Sequence, residues 1–208
     1  WDWGYGPFAD STTIHLNDAE IGIDPIVSPE YNPRAIIDSA MQAYGDNGEF
    51  TVTLTVADDD GALVTGSFTV SVTNTAPILT VDTSSVSIME NEEVMISAHA
   101  TDEGSDDIAI TYDWGYAGFA DTEGIFLNDG SIATDPDLSP EVNPRDITMP
   151  ASQVYGDNGN FIITITAMDD EGLIATAQLA VHVENIAPFN VTQNTYDISE
   201  GENATLTV

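Results

Sequence analysis

The segment from Tyr155 to Gly172, YGDNGNFIITITAMDDEG, is nearly a copy of Tyr44 to Gly61, YGDNGEFTVTLTVADDDG. In each, a turn-forming Gly-Asp-Asn-Gly leads into strict alternation and then into an acidic Asp-Asp-X-Gly turn. That is the pattern of a half-buried strand held between two tight turns. Phe50, Val52, Leu54 and Val56 fall on one face, with Thr51, Thr53 and Thr55 on the other. The second copy keeps the period, with Phe161, Ile163, Ile165 and Ala167 pointing inward. A strand written twice at this fidelity predicts a tandem array.

The duplication extends well beyond that strand. Trp1 to Ile78 aligns with Tyr112 to Phe189 without a gap, and about half of the positions are identical. After a slip of one residue, Val81 to Ala98 matches Val191 to Val208. The expected organisation is a partial module over residues 1–75 that lacks its first strands, a complete module over 76–187, and the first strands of another over 188–208. Trp1 then falls inside a third strand and Val208 inside a second, so the sequence reads as a window on a longer array. Strand addition between copies is an expected route of assembly.

Within the complete module, alternation predicts strands at Ile78 to Val81 and Val86 to Met89, then one carrying Val94, Ile96, Ala98 and Ala100 inward. The loop TDEGSDD, Thr101 to Asp107, precedes a strand over Ile108 to Trp114. Gly115 to Asn143 reads as a long irregular segment, with Pro136 and Pro140 opposing regular structure in its second half. A short strand at Arg145 to Met149 follows, then the duplicated strand, then a last one with Leu179, Val181 and Val183 inward. Short strands, turn signals and no helical period together predict an all-β chain of Greek-key sandwiches.

Charge narrows what such a chain does. Of 208 residues, 36 are acidic against two arginines and no lysine, for a formal net charge of −34. A field of that sign repels nucleic acid and anionic membrane, which excludes both as expected partners. No run is long enough to cross a bilayer as a helix. With no cysteine, disulfides, thiol catalysis and thiolate metal sites are excluded together. Self-repulsion on this scale opposes compaction, so the fold is expected to need counter-ions, as high salt or as bound divalent cations.

Trp-Asp-Trp-Gly at Trp1 to Gly4 and Tyr-Asp-Trp-Gly at Tyr112 to Gly115 resemble the Trp-Asp-Phe-Gly of PKD-type immunoglobulin-like repeats. Tyr44-x-x-x-Gly48-x-Phe50-x-Val52-x-Leu54, continuing to Asp58-Asp59-Asp60-Gly61, resembles that family's later strand and turn. Asn74-Thr75-Ala76-Pro77 and Asn185-Ile186-Ala187-Pro188 resemble its module junctions. The chain departs from the family at Tyr5-Gly6 and Tyr116-Ala117, where Asp-Gly is usual, and in the length of the loop before Tyr44 and Tyr155. The resemblance implies tandem Ig-like sandwiches at the cell surface, non-catalytic spacers or adhesion modules, with Trp3, Trp114, Tyr44 and Tyr155 structural. It also leaves open an accessory module of a secreted hydrolase that recognises a surface polysaccharide.

The residues agree that catalysis is not expected. His15, His99 and His182 have no partner at metal-ligand spacing, and no nucleophile elbow, phosphate loop or dinucleotide fingerprint occurs. Acids spread over turns at this density single out no glycosidase pair. They do suit calcium. Sandwich topology places the Thr101 to Asp107 loop and the Asp169 turn at one end, gathering Asp102, Glu103, Asp106, Asp107, Asp169, Asp170 and Glu171 as hard oxygen ligands. End-to-end stacking lets Asp46, Asn47 and Asn74 of the preceding copy share those ions, and Asp58, Asp59 and Asp60 form the equivalent turn there. The competing account is that these are good turns solvated in salty water. Recurrence of the acids at fixed turn positions favours calcium. Arg34 and Arg145 occupy the same repeat position, inside Ser-Pro-Glu-x-Asn-Pro-Arg, and are expected to anchor the long loop through paired carboxylates. The expected function is a calcium-rigidified segment of an extracellular filament, surface layer or adhesin stalk, whose partners are neighbouring copies and adjacent modules.

Overall fold

The structure is a computed structural model that describes residues 1–5, 9–15, 35–128, 145–188 and 197–203. The described residues form ten strands and no helix: β1 (Gly48–Ala57), β2 (Leu63–Val72), β3 (Ile78–Val81), β4 (Ser85–Met89), β5 (Glu93–Asp102), β6 (Ile108–Asp113), β7 (Thr122–Phe126), β8 (Arg145–Val154), β9 (Gly159–Asp169) and β10 (Ile174–Glu184). Strands β3 to β10 build one immunoglobulin-like sandwich. A five-stranded sheet of order β4-β10-β9-β6-β7 faces a three-stranded sheet of order β3-β5-β8. The chain changes sheets between β3, antiparallel to β5, and β4, parallel to β10. β1 and β2 form a separate antiparallel hairpin equivalent to β9 and β10, with Asp2 bridged to Thr53.

Alternation does the folding work here, because successive side chains of a strand point to opposite faces. Val94, Ile96, Ala98 and Ala100 of β5 meet Ile108, Ile110 and Tyr112 of β6, Ile163, Ile165 and Ala167 of β9, and Leu179, Val181 and Val183 of β10 in one buried cluster. Phe119 covers one end of that core, edge-on to Tyr155 at 5.3 Å between ring centroids.

Two sequence expectations need correction. The segment from Gly115 is not irregular throughout, because β7 pairs with β6 from Thr122 opposite Tyr112 to Phe126 opposite Ile108. Its signal was weak: Thr-Glu-Gly-Ile-Phe is short and its burial only intermediate or exposed. Likewise β8 runs past Met149 to Val154, through Pro150. Proline lacks an N–H, but β8 is an edge strand of its sheet, where that omission is tolerated.

The aromatic signature residues are structural pins. Asp113 Oδ1 accepts from Gly115 N at 2.9 Å, and Asp2 Oδ1 accepts from Gly4 N at 2.9 Å, so the Asp of each motif closes the corner made by its Gly. Trp114 is buried and its Nε1 donates to Thr122 Oγ1 at 3.0 Å; Trp3 Nε1 donates to the equivalent Ser11 Oγ at 3.4 Å. Tyr155 Oη donates to Trp114 O at 2.8 Å and Tyr44 Oη to Trp3 O at 2.9 Å, fixing the start of β9 and β1 against the Trp corner. Burial pushes the Tyr155 phenol up to about 12, so it stays a donor at any ordinary pH.

Tyr112 has a polar role that strand alternation does not show. From β6 its hydroxyl reaches across the core, donating to Met149 O at 2.5 Å and accepting from Ala98 N at 2.9 Å, two residues paired on the opposite sheet. Tyr112→Phe strands both buried backbone groups. Each such group costs about 1–3 kcal/mol, so a loss of at least about 2 kcal/mol in urea unfolding is expected; an unchanged midpoint would show that the hydroxyl is dispensable.

Candidate metal centre

The acidic site is assembled by turns rather than by strands. Leaving β5, Asp102 caps the next loop, with Oδ1 accepting from Gly104 N at 2.8 Å. Asp169 closes the β9–β10 turn, with Oδ1 accepting from Leu173 N at 2.6 Å. Asp58 makes the same contact with Ala62 N at 2.7 Å in the hairpin β1–β2. Turn capping therefore accounts for one oxygen of each of these carboxylates, and leaves the others.

Carboxylates of the β5–β6 loop and the β9–β10 turn converge. Ligand atoms of Asp102, Asp106 and Asp169 lie within 4.8 Å of one another, and so do those of Asp106, Asp170 and Glu171. Asp102 and Asp106 are only 3% and 4% exposed, and the Oδ2 of each has no hydrogen-bond partner. A buried carboxylate oxygen without a donor is costly, and a cation is the simplest group that satisfies several at once.

The preceding copy closes the site. Ser105 N donates to Gly45 O at 2.7 Å, joining the Tyr44–Asn47 turn to the β5–β6 loop. Asn74, in the connection between β2 and β3, donates through Nδ2 to Asp169 Oδ2 at 2.9 Å. With its amide nitrogen facing the carboxylates, Asn47 donates to Glu171 Oε1 at 3.0 Å and to Asp46 Oδ1 at 3.1 Å. Asp46 is buried and raises the proton affinity of Glu171.

Not every acidic residue singled out in the sequence comes to this point. Glu103 is exposed. Asp107 is buried but turned aside, its Oδ1 accepting from the backbone N of Asn128, whose side chain donates to Ser105 O. Asp58, Asp59 and Asp60 are exposed at the far turn of β1–β2. Arg34 lies outside the described residues. Arg145 is buried, paired in register with Asp102, and its Nη2 donates to Phe126 O at 2.7 Å, which ties β8 to the end of β7. No ion pair of Arg145 with a carboxylate is found among the described residues; the anchor they show is a carbonyl. Asn128 and Ser105 were not foreseen, and only a partner search around the acidic loop would have raised them.

Electrostatics reflect the crowding. Burial, then the charges of Glu171, Asp102, Asp170 and Asp169, pushes Asp106 up to about 8. Burial and the neighbouring Asp170 push Glu171 up to about 7. Asp102 is raised too, chiefly by burial, with Arg145 opposing. A carboxyl whose folded pKa exceeds its unfolded value stabilises the fold below the unfolded value and loses that contribution as pH rises through the folded one. In chelator, the melting temperature is therefore expected to fall by several degrees between about pH 4 and pH 8. A flat or rising profile in circular dichroism would contradict the crowding.

No protein-family model and no curated protein matches the sequence. Among solved structures, the chain is similar to the PKD domain of an M14-like peptidase from a Thermoplasmatales archaeon, at 16% identity over 52% of this chain and 92% of that one, with a TM-score of 0.33. It is similar to the BIgI domain of beta protein from S. agalactiae, solved bound to CEACAM1, at 18% identity over 53% and 99%, TM-score 0.33. It is also similar to domains 4 and 5 of the S-layer protein SbsC, at 15% identity over 69% and 74%, TM-score 0.26. The assignment of an immunoglobulin-like sandwich rests on the sheet order itself. No helix among the described residues is long and apolar enough to cross a membrane.

Proposed function

We propose that the chain is a spacer segment of an extracellular surface array, a filament, surface layer or adhesin stalk, whose module junctions are stiffened by calcium. The observation that carries this reading is the meeting of Asp46, Asn47 and Asn74 from one copy with Asp102, Asp106, Asp169, Asp170 and Glu171 of the next, around buried oxygens that no donor satisfies. Oxygen-only ligands of this number and charge suit calcium above zinc or magnesium. Division into modules at 1–75, 76–187 and 188–208 belongs to the same reading, supported by the repeated turn at Asn91 and Gly201. Both residues have positive φ, and a Glu side chain caps each turn, Glu92 onto Met89 N and Glu202 onto Ser199 N.

A second feature concerns assembly. Phe68 on β2 is 53% exposed whereas its equivalent Leu179 is 1% exposed, because β3-β5-β8 covers the latter. Strands of a neighbouring copy or adjacent module are proposed to cover the β1–β2 face by complementation. Small-angle scattering on the full chain tests both parts. Calcium is expected to narrow the distance distribution into that of a stiff rod, and chelator to broaden it. Profiles identical in the two conditions overturn the calcium role, and a scattering mass of one chain at every protein concentration overturns complementation between copies.

A further inference from the structure

Resting on the calcium reading above, the geometry points to two cations at the junction, held in adjacent subsites that share Asp106. One subsite is Asp102, Asp106 and Asp169; the other is Asp106, Asp170 and Glu171. Calcium holds its oxygens about 2.3–2.6 Å away, so two oxygens of one shell stand no more than about 5 Å apart. Each triad meets that limit, with its ligand atoms within 4.8 Å of one another. Two such sets form, and Asp106 belongs to both.

The oxygens left without donors fit a bridge. Asp106, the residue common to the two sets, is buried and its Oδ2 has no hydrogen-bond partner, and neither has Asp102 Oδ2 in the first set. A carboxylate has two oxygens and can give one to each of two ions. Charge argues the same way. Two divalent ions balance four of the five formal charges of these residues, of which Asp102, Asp106 and Asp169 are buried and Asp170 and Glu171 half-buried, whereas one ion leaves three uncompensated. Both subsites meet the preceding copy: Asn74 donates to Asp169 of the first at 2.9 Å and to Glu171 of the second at 3.5 Å, and Asn47 donates to Glu171 as well. Both ions are therefore assigned to the clasp between copies.

Native mass spectrometry of the chelator-stripped full chain, titrated with calcium chloride, counts the ions. Ions held loosely by other surface acids are common to all variants, so differences are read. Asp102→Asn is expected to lose one ion, Glu171→Gln one, the double variant two, and Asp106→Asn both. If each single variant and the double variant all lose the same one ion, the shared-ligand site is overturned and the single-ion reading of the junction stands. If no variant loses an ion, the calcium reading falls as well. Tryptophan emission, to which the buried Trp3 and Trp114 contribute, reports whether each variant keeps its core, and Asp170→Asn replaces Glu171→Gln should the latter fail to fold.

Discussion

Gly115→Ala is expected to cost about 3–5 kcal/mol, enough to remove much of the stability of a domain of this size. The corner after Trp114 takes Gly115 to φ 70, and an added Cβ there would lie 2.2 Å from Ile162 O and 2.9 Å from its carbonyl carbon. Left-handed backbone alone costs a non-glycine residue about 1–2 kcal/mol. The remainder comes from pushing the corner off β9, because the obstacle is backbone and cannot rotate away. Two neighbouring substitutions separate these terms. Gly172 has φ 89 with nothing within 4 Å of an added Cβ, so Gly172→Ala should show the conformational term only. Gly156 has open space and no left-handed φ, so Gly156→Ala should be neutral or slightly stabilising. Chemical denaturation of the three variants that fails to give the order Gly115, Gly172, Gly156 would dismiss this account of the motif. Gly4 repeats the geometry, 2.3 Å from Thr51 O, so the rule belongs to the repeat.

This corner also shows where the sequence was readable and where it was not. Strand positions were legible because a two-residue period is local: Ile78–Val81 stands where alternation put it, and the inward rows of β5, β9 and β10 are the buried ones. The gathering of acids was legible because sandwich topology assigns loops to ends, and the Asp102 loop does meet the Asp169 turn. What escaped depends on contacts between distant segments. Thr122 matters because it accepts from the Trp114 indole, Tyr112 because its hydroxyl crosses to Ala98 and Met149, and Asp107 because Asn128 turns it away from its neighbours. None of these leaves a periodic trace. Strand β7 escaped for the related reason that a short edge strand with little burial has no strong alternation to show.

Asp106→Asn should reverse the sign of its effect on stability when calcium is added. Without divalent cation and above about pH 8, the wild-type group is ionised against burial and against Glu171, Asp102, Asp170 and Asp169. An amide removes that charge, so the variant is expected to be more stable than the parent by at least about 1 kcal/mol. With calcium at a thousandfold excess over its dissociation constant, a single bound ion stabilises the parent by about 4 kcal/mol. The variant loses most of that gain because a neutral amide replaces the carboxylate common to both ligand sets. Melting curves of the two proteins, in chelator and in calcium at one alkaline pH, should therefore change order. High-salt adaptation without specific binding predicts the opposite, since screening acts on both proteins alike and leaves the variant ahead in every condition. The two accounts of the acidic composition thus differ in the sign of a single measured difference.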